Sequence, residues 1–184
     1  LKALLSEQTG QVLVFARTKH GSDRLARQIH DSGFKTTRIH GDRTQAQRNQ
    51  ALEGFRNGQY RVLVATDVAA RGIDLPGLGL VIHAELPHDS EVMQHRSGRT
   101  GRAGRKGISV LLVPPSRRRR AEELMVRANV VPVWSGPPPA DEIRALDQER
   151  LLQDPLVTDE VSEEDRAMAQ SLSRDHRLEV QRVG

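Results

Sequence analysis

Five short apolar runs, separated by stretches of helical patterning, limit what this chain can fold into. The runs are Val12-Leu13-Val14-Phe15, residues 36–40, Val62-Leu63-Val64-Ala65, Leu80-Val81-Ile82-His83 and residues 108–113. Each has the length of a strand. Residues 20–32 show helical spacing, with Leu25 and Ile29 four apart and Gly33 as the stop. Residues 44–55 repeat the pattern, with Thr44 as N-cap, Leu52 and Phe55 inward and Asn57-Gly58 as the stop. A further helix is expected to start over residues 89–95. Apolar strands alternating with helices imply an α/β fold: a parallel sheet sandwiched by helices. Ligands in such sheets sit beyond the carboxyl ends of the strands. Arg17-Thr18, His40-Gly41-Asp42 and Thr66-Asp67 each follow a strand and are the first candidates.

The 184 residues suit one domain plus an extension. The character changes after Pro114-Pro115, so the expected boundaries are 1–115 and 116–184. Residues 1–115 hold 17 Lys and Arg against 10 Asp and Glu; residues 116–184 hold 11 against 14. The first part is therefore the candidate for polyanions. The second is no strong nucleic-acid clamp, apart from the run Arg117-Arg118-Arg119-Arg120. A helix is expected over residues 121–128, then a connector with four prolines over 130–139. Two thin amphipathic helices are expected over 141–152 and 162–172, too narrow in apolar surface to fold alone. The chain has no cysteine, which excludes disulfides and thiolate metal sites. It shows no membrane-length apolar run and no signal peptide, so the expectation is a soluble cytoplasmic protein. The chain does not begin with Met, and it is expected to be a piece of a longer one.

The densest chemistry lies in His95-Arg96-Ser97-Gly98-Arg99-Thr100-Gly101-Arg102-Ala103-Gly104-Arg105. Four arginines and a histidine crowd beside three glycines. Like charges so close repel, whereas an anion rewards them. The guanidinium fork matches phosphate oxygens two at a time, and glycine lets backbone approach closely. Two readings follow from the residues alone: a phosphate site, or a basic loop touching nucleic acid nonspecifically.

The eleven residues resemble motif VI of the DEAD-box ATP-dependent RNA helicases, and the bacterial members in particular. Related DNA helicases carry Gln where this chain has His95, so the resemblance favours RNA. The chain departs from the family at Met93, where an aromatic is common, and at Ser97, where an aliphatic is common. Val64 to Asp74, containing Thr66-Asp67 and Ala70-Arg71-Gly72-Ile73-Asp74, is similar to motif V. Phe15-Ala16-Arg17-Thr18-Lys19 is similar to motif IV, with Phe15 read as core. His40-Gly41-Asp42 and Gln45-Ala46-Gln47-Arg48 resemble the next RNA-facing elements.

The resemblance implies a RecA-like helicase C-terminal domain followed by a short helical extension. It implies catalytic roles for Arg99 and Arg102, as arginine fingers on the γ-phosphate, and for His95 as an interdomain contact. Gly72 and Asp74, with the two arginines, would face ATP. Arg17, Thr18, Lys19, Gly41, Asp42, Gln45, Arg48, Thr66 and Arg71 would face RNA. Asp67 reads as an ordinary helix N-cap, and His20, His30, His83, His88 and His176 as ordinary histidines without metal spacing. ATP and Mg²⁺ are the implied cofactors, held mainly by a missing N-terminal RecA-like domain. This chain lacks Gly-x-x-x-x-Gly-Lys-Ser/Thr and Asp-Glu-Ala-Asp, the elements that cradle phosphates and hold the metal. Alone it is therefore expected to show no ATPase activity.

Some bacterial members carry a dimerisation segment directly after this domain. Residues 116–184 could form such a homodimer, through Ile143, Leu146, Arg150, Leu151 and Leu152, or pack back on their own domain. The alternatives for the whole are a dimerisation or RNA-binding module and part of a superfamily-2 DNA helicase.

Overall fold

The computed structural model describes residues 1–7, 10–75, 78–101 and 106–136, with a few more between 139 and 149. The strands are β1 (Val12–Phe15), β2 (Thr36–Ile39), β3 (Val62–Ala65), β4 (Leu80–His83) and β5 (Ile108–Leu111). The helices are α1 (Lys2–Glu7), α2 (Lys19–Asp31), α3 (Gln45–Arg56), α4 (Asp67–Ala70), α5 (Ser90–Ser97) and α6 (Arg118–Arg127). The sheet order is β2-β3-β1-β4-β5, with every pair parallel. Phe15 stands beside Ala65 and His83, Ile39 beside Ala65, and Leu111 beside His83. All five strands thus end in one row, and their following loops leave from one edge. The chain leaves β1 toward β2 on one side and leaves β4 toward β5 on the other. The crevice over the ends of β1 and β4 is therefore the topological switch point, where α/β sheets hold ligands.

Period-two alternation divides the sheet residues between two faces. Leu13, Phe15, Leu63, Ala65 and Val81 pack against Leu52 and Phe55 of α3 and Ala69 and Ala70 of α4. Val12, Val14, Val62, Val64, Leu80 and Ile82 pack against Leu5 of α1 and Ala26 and Ile29 of α2. Burying Phe55 alone stabilises the fold by about 1.5–3 kcal/mol.

Helix ends follow local chemistry. Thr18 caps α2, accepting from Gly21 N–H. Thr44 and Gln47 form a reciprocal capping box on α3. Asp89 caps α5, its carboxylate accepting from Val92 N–H at 2.7 Å. β5 stops at Leu111 rather than running to 113, because β4, the strand it pairs with, ends at His83.

The compact units divide further along the chain than the change of character at 115. The first compact unit runs Leu1–Pro139, and the second is Ala140–Gly184. Ala121, Leu124, Met125 and Ala128 pack with Leu86 and Met93, partly covered by Leu111 and Val113. α6 therefore completes the first unit's core, and Met93 fills the seam between α5 and α6. α6 also starts at Arg118, three residues earlier than expected. Arginine favours helix, and Arg118–Glu122 and Arg119–Glu123 are i,i+4 pairs. The expected helix over 162–172 and the stripe Ile143, Leu146, Leu151 and Leu152 lie outside the described residues.

Candidate functional site

A small cleft opens over the row of strand ends. It is lined by Phe15 at the end of β1, Asp67, Ala70 and Arg71 from α4 and its turn, and Val92, His95, Arg96 and Arg99 from α5 and beyond. Three separate stretches of sequence thus converge on one place.

Its floor is an ion pair. Arg96, only 3% exposed, donates Nε to Asp67 Oδ1 at 2.6 Å and Nη2 to Asp67 Oδ2 at 2.7 Å. Nη1 donates to the Glu85 carbonyl at 3.3 Å, and the guanidinium lies 5.1 Å from the Phe15 ring centroid. A planar fork on a carboxylate, with a further acceptor, is the geometry a buried arginine needs. Two readings are corrected here. Arg96 is no member of an open phosphate cluster; its charge is committed to Asp67. Asp67 is no N-cap; Thr66 occupies that position, without a side-chain capping bond, and Asp67 is the first helical residue.

With Arg96 neutralised, the basic side chains left at the rim are those of Arg71, His95 and Arg99. Arg71 and His95 are exposed and Arg99 is half-buried. Arg99 Nη1 donates to the Ile73 carbonyl at 3.0 Å, which sets it beside Asp74 in the chain. Among the described residues Arg99 pairs with no carboxylate, so its charge stays available to an anion. Arg102 lies outside the described residues. Gly72 has open space where a Cβ would stand, and its φ of +70° favours glycine. Gly107 is the position of true close approach, since a Cβ would stand 2.3 Å from Gly101 N and Thr100 Oγ1.

The other candidates surround the cleft as paired groups. Arg17 Nη2 donates to the Leu86 carbonyl at 3.1 Å, and its Nε stands 3.6 Å from Glu85 across the switch point. Lys19 Nζ pairs with Asp42 at 2.8 Å, joining the loops after β1 and β2 beside exposed Gly41. Lys19 holds the Asp42 carboxyl below its ordinary pKa. Arg48 Nη2 donates to the Arg71 carbonyl at 3.3 Å, and exposed Gln45 bonds Asn49. Thr66 is buried at the foot of α4.

His83, read as ordinary, is not. It is 1% exposed, and its Nε2 lies 3.1 Å from Ser109 Oγ and 3.3 Å from Ser97 Oγ. The two hydroxyls are 2.9 Å apart. This triangle is the structural reason for a serine at 97. Burial, with Arg96 nearby, pushes the His83 pKa from 6.5 down to about 3. Folding therefore favours the neutral ring. The unfolded state binds the extra proton below pH 6.5, so stability falls as pH drops from about 6.5 toward 3. Asp23, lowered by Arg38 and His40 against the opposing effect of burial, adds the same trend only below its ordinary 3.8. His83→Leu should flatten the urea midpoint against pH in the first unit or so below 6.5. A slope identical to wild type there would contradict the neutral buried ring.

The family model described as helicase conserved C-terminal domain matches residues 1–104. The chain belongs to that family. This helicase C-terminal domain is 53% identical over 103 residues to DEAD-box ATP-dependent RNA helicase 9 of Oryza sativa subsp. japonica, across 56% of this chain and 16% of that protein. The E. coli DEAD-box protein SrmB, solved bound to regulator of ribonuclease activity A, matches at TM-score 0.67 and 32% identity. That match covers 77% of this chain and 85% of the other. The C-terminal domain of the DEAD-box protein Dbp5 matches at TM-score 0.66 and 27% identity, covering 80% and 90%. The fold is thus the RecA-like helicase C-terminal domain. The rice relative shows that the likeness is not confined to bacterial members. The chain spans about a sixth of the length of the curated relatives it matches.

Proposed function

We propose that this chain is the second RecA-like domain of a DEAD-box ATP-dependent RNA helicase. It completes an ATP site whose phosphate loop and metal ligands lie on a partner RecA-like domain. The observation that carries the reading is the cleft: Arg71, His95 and Arg99 stand together at a switch point, while Arg96 is held away by Asp67. A half-buried guanidinium that among the described residues bonds a carbonyl and no carboxylate suits a phosphate that arrives from outside.

In this reading Arg99 and Arg102 meet the γ-phosphate, His95 meets the partner domain, and Gly72 and Asp74 lie along the nucleotide. RNA runs over Arg17, Thr18, Lys19, Gly41, Asp42, Gln45, Arg48, Thr66 and Arg71, contacted through sugar and phosphate and so without sequence preference. ATP brings the two domains together and Mg²⁺ neutralises its phosphates. Closure then strains the duplex and hydrolysis reopens the cleft. The test compares RNA with DNA of the same sequence as stimulators of ATP turnover by the two-domain protein. RNA should stimulate and DNA should not; equal stimulation would favour a DNA-unwinding enzyme.

A further inference from the structure

We propose that the arginine run at the start of α6 is a second RNA-backbone site, carrying a strand that leaves the cleft. This site rests on the reading of the cleft as RNA-binding.

Arg117 ends a 3-10 turn, Pro115–Arg117, and Arg118, Arg119 and Arg120 begin α6; all four are exposed. Cations at a helix N-terminus oppose the macrodipole, and the first turn holds no acidic residue to offset them. Glu122 and Glu123 pair with Arg118 at 3.0 Å and Arg119 at 3.3 Å, which offsets half of the run. The Arg118 guanidinium also lies 4.7 Å from the Trp134 ring centroid, and that ring is 41% exposed. Arginines beside a partly exposed aromatic side chain are a means by which proteins hold single strands: charge for the backbone, a ring for stacking.

The placement is an independent observation. Arg120 Nη2 donates to the His88 carbonyl at 3.0 Å, while Arg17 Nη2 donates to the Leu86 carbonyl at 3.1 Å. One short loop therefore carries the Arg17 guanidinium on one carbonyl and an α6 guanidinium two residues on. Residues 86–88 thus bring the end of β1 and the start of α6 to one place, with Glu85 and Asp89 flanking them. A polymer with a charge on every nucleotide, already seated at Arg17, meets arginines along that path.

The test uses this chain and its Arg117→Gln/Arg119→Gln double variant. That variant leaves Arg118 on Trp134 and Arg120 on His88. Affinities for hexauridylate and for a twenty-nucleotide oligouridylate are measured by fluorescence anisotropy over a range of salt. Thermal unfolding verifies that both proteins fold alike. The expected result is unchanged hexauridylate binding, with the longer RNA bound about fivefold more weakly. The slope of log affinity on log salt should fall by about 1.4, two contacts at about 0.7 each. Equal binding of the longer RNA by both proteins overturns the site while leaving the cleft reading intact. Equal loss for both lengths overturns it too, since the run would then belong to the cleft. Unchanged RNA binding with lost affinity for polyglutamate would mark a protein-docking surface instead. Failure of the wild-type chain to bind either RNA overturns the cleft reading and the second site together.

Discussion

Arg99→Ala lowers RNA-stimulated ATP turnover of the two-domain protein by about 10³ or more, while RNA affinity stays within about twofold. The expectation comes from what holds Arg99. Its guanidinium donates to the Ile73 carbonyl at 3.0 Å and pairs with no carboxylate among the described residues. A carbonyl orients the group without neutralising it. Charge that is placed in advance and partly shielded from water acts most strongly on a developing anion. Truncation removes that charge and leaves the fold alone, because the carbonyl of Ile73 needs only one partner and water can supply it. Arg99→Lys should recover only a small part, since an ammonium cannot bridge two oxygens as the planar fork does. Steady-state turnover with anisotropy on the same samples checks both halves. If RNA binding fell as far as turnover, Arg99 would be an RNA ligand.

Asp67→Ala acts in the opposite way, on stability first. Arg96 is 3% exposed, and among the described residues Asp67 takes two of its three hydrogen bonds. Removing the carboxylate leaves a buried guanidinium with a carbonyl and a phenyl face. Losing one partner of a buried pair costs about 3–5 kcal/mol. Replacing both by apolar residues of similar size, Asp67→Leu with Arg96→Met, should restore much of the loss, because no charge is then stranded. Urea denaturation of the single and double variants measures the difference. A loss below about 1 kcal/mol in Asp67→Ala would mean that water already reaches Arg96. The pair matters for function as well. It fixes α4 to α5, and these carry Arg71 and His95, the walls of the cleft.

Much of the fold was legible because its strands are short, apolar and bounded. β1, β3 and β4 fall where the apolar runs lie, and Thr44 with Asn57-Gly58 brackets α3 as expected. Strand order was not legible, since sequence shows alternation but not which strand lies at the centre. α6 was legible as a helix with the arginine run at its start, but not as part of the first unit, because its apolar positions become core only against Leu86 and Met93. In the site, Arg99 and His95 were legible in the dense run at residues 95–105, and Arg71 through the likeness of residues 64–74 to motif V. The Asp67–Arg96 pair was hidden: its partners are 29 residues apart, and each alone has a commoner explanation. His83 was hidden for the same reason. Only the sheet brings Ser109 to it, and only the end of α5 brings Ser97.

The most direct measurement is ATP turnover by this chain alone, by an ATP-binding RecA-like domain alone, and by the two joined, each with and without RNA. The account predicts turnover only in the joined protein, stimulated by RNA. RNA-stimulated turnover by this chain alone, or a joined protein indifferent to RNA, would contradict it.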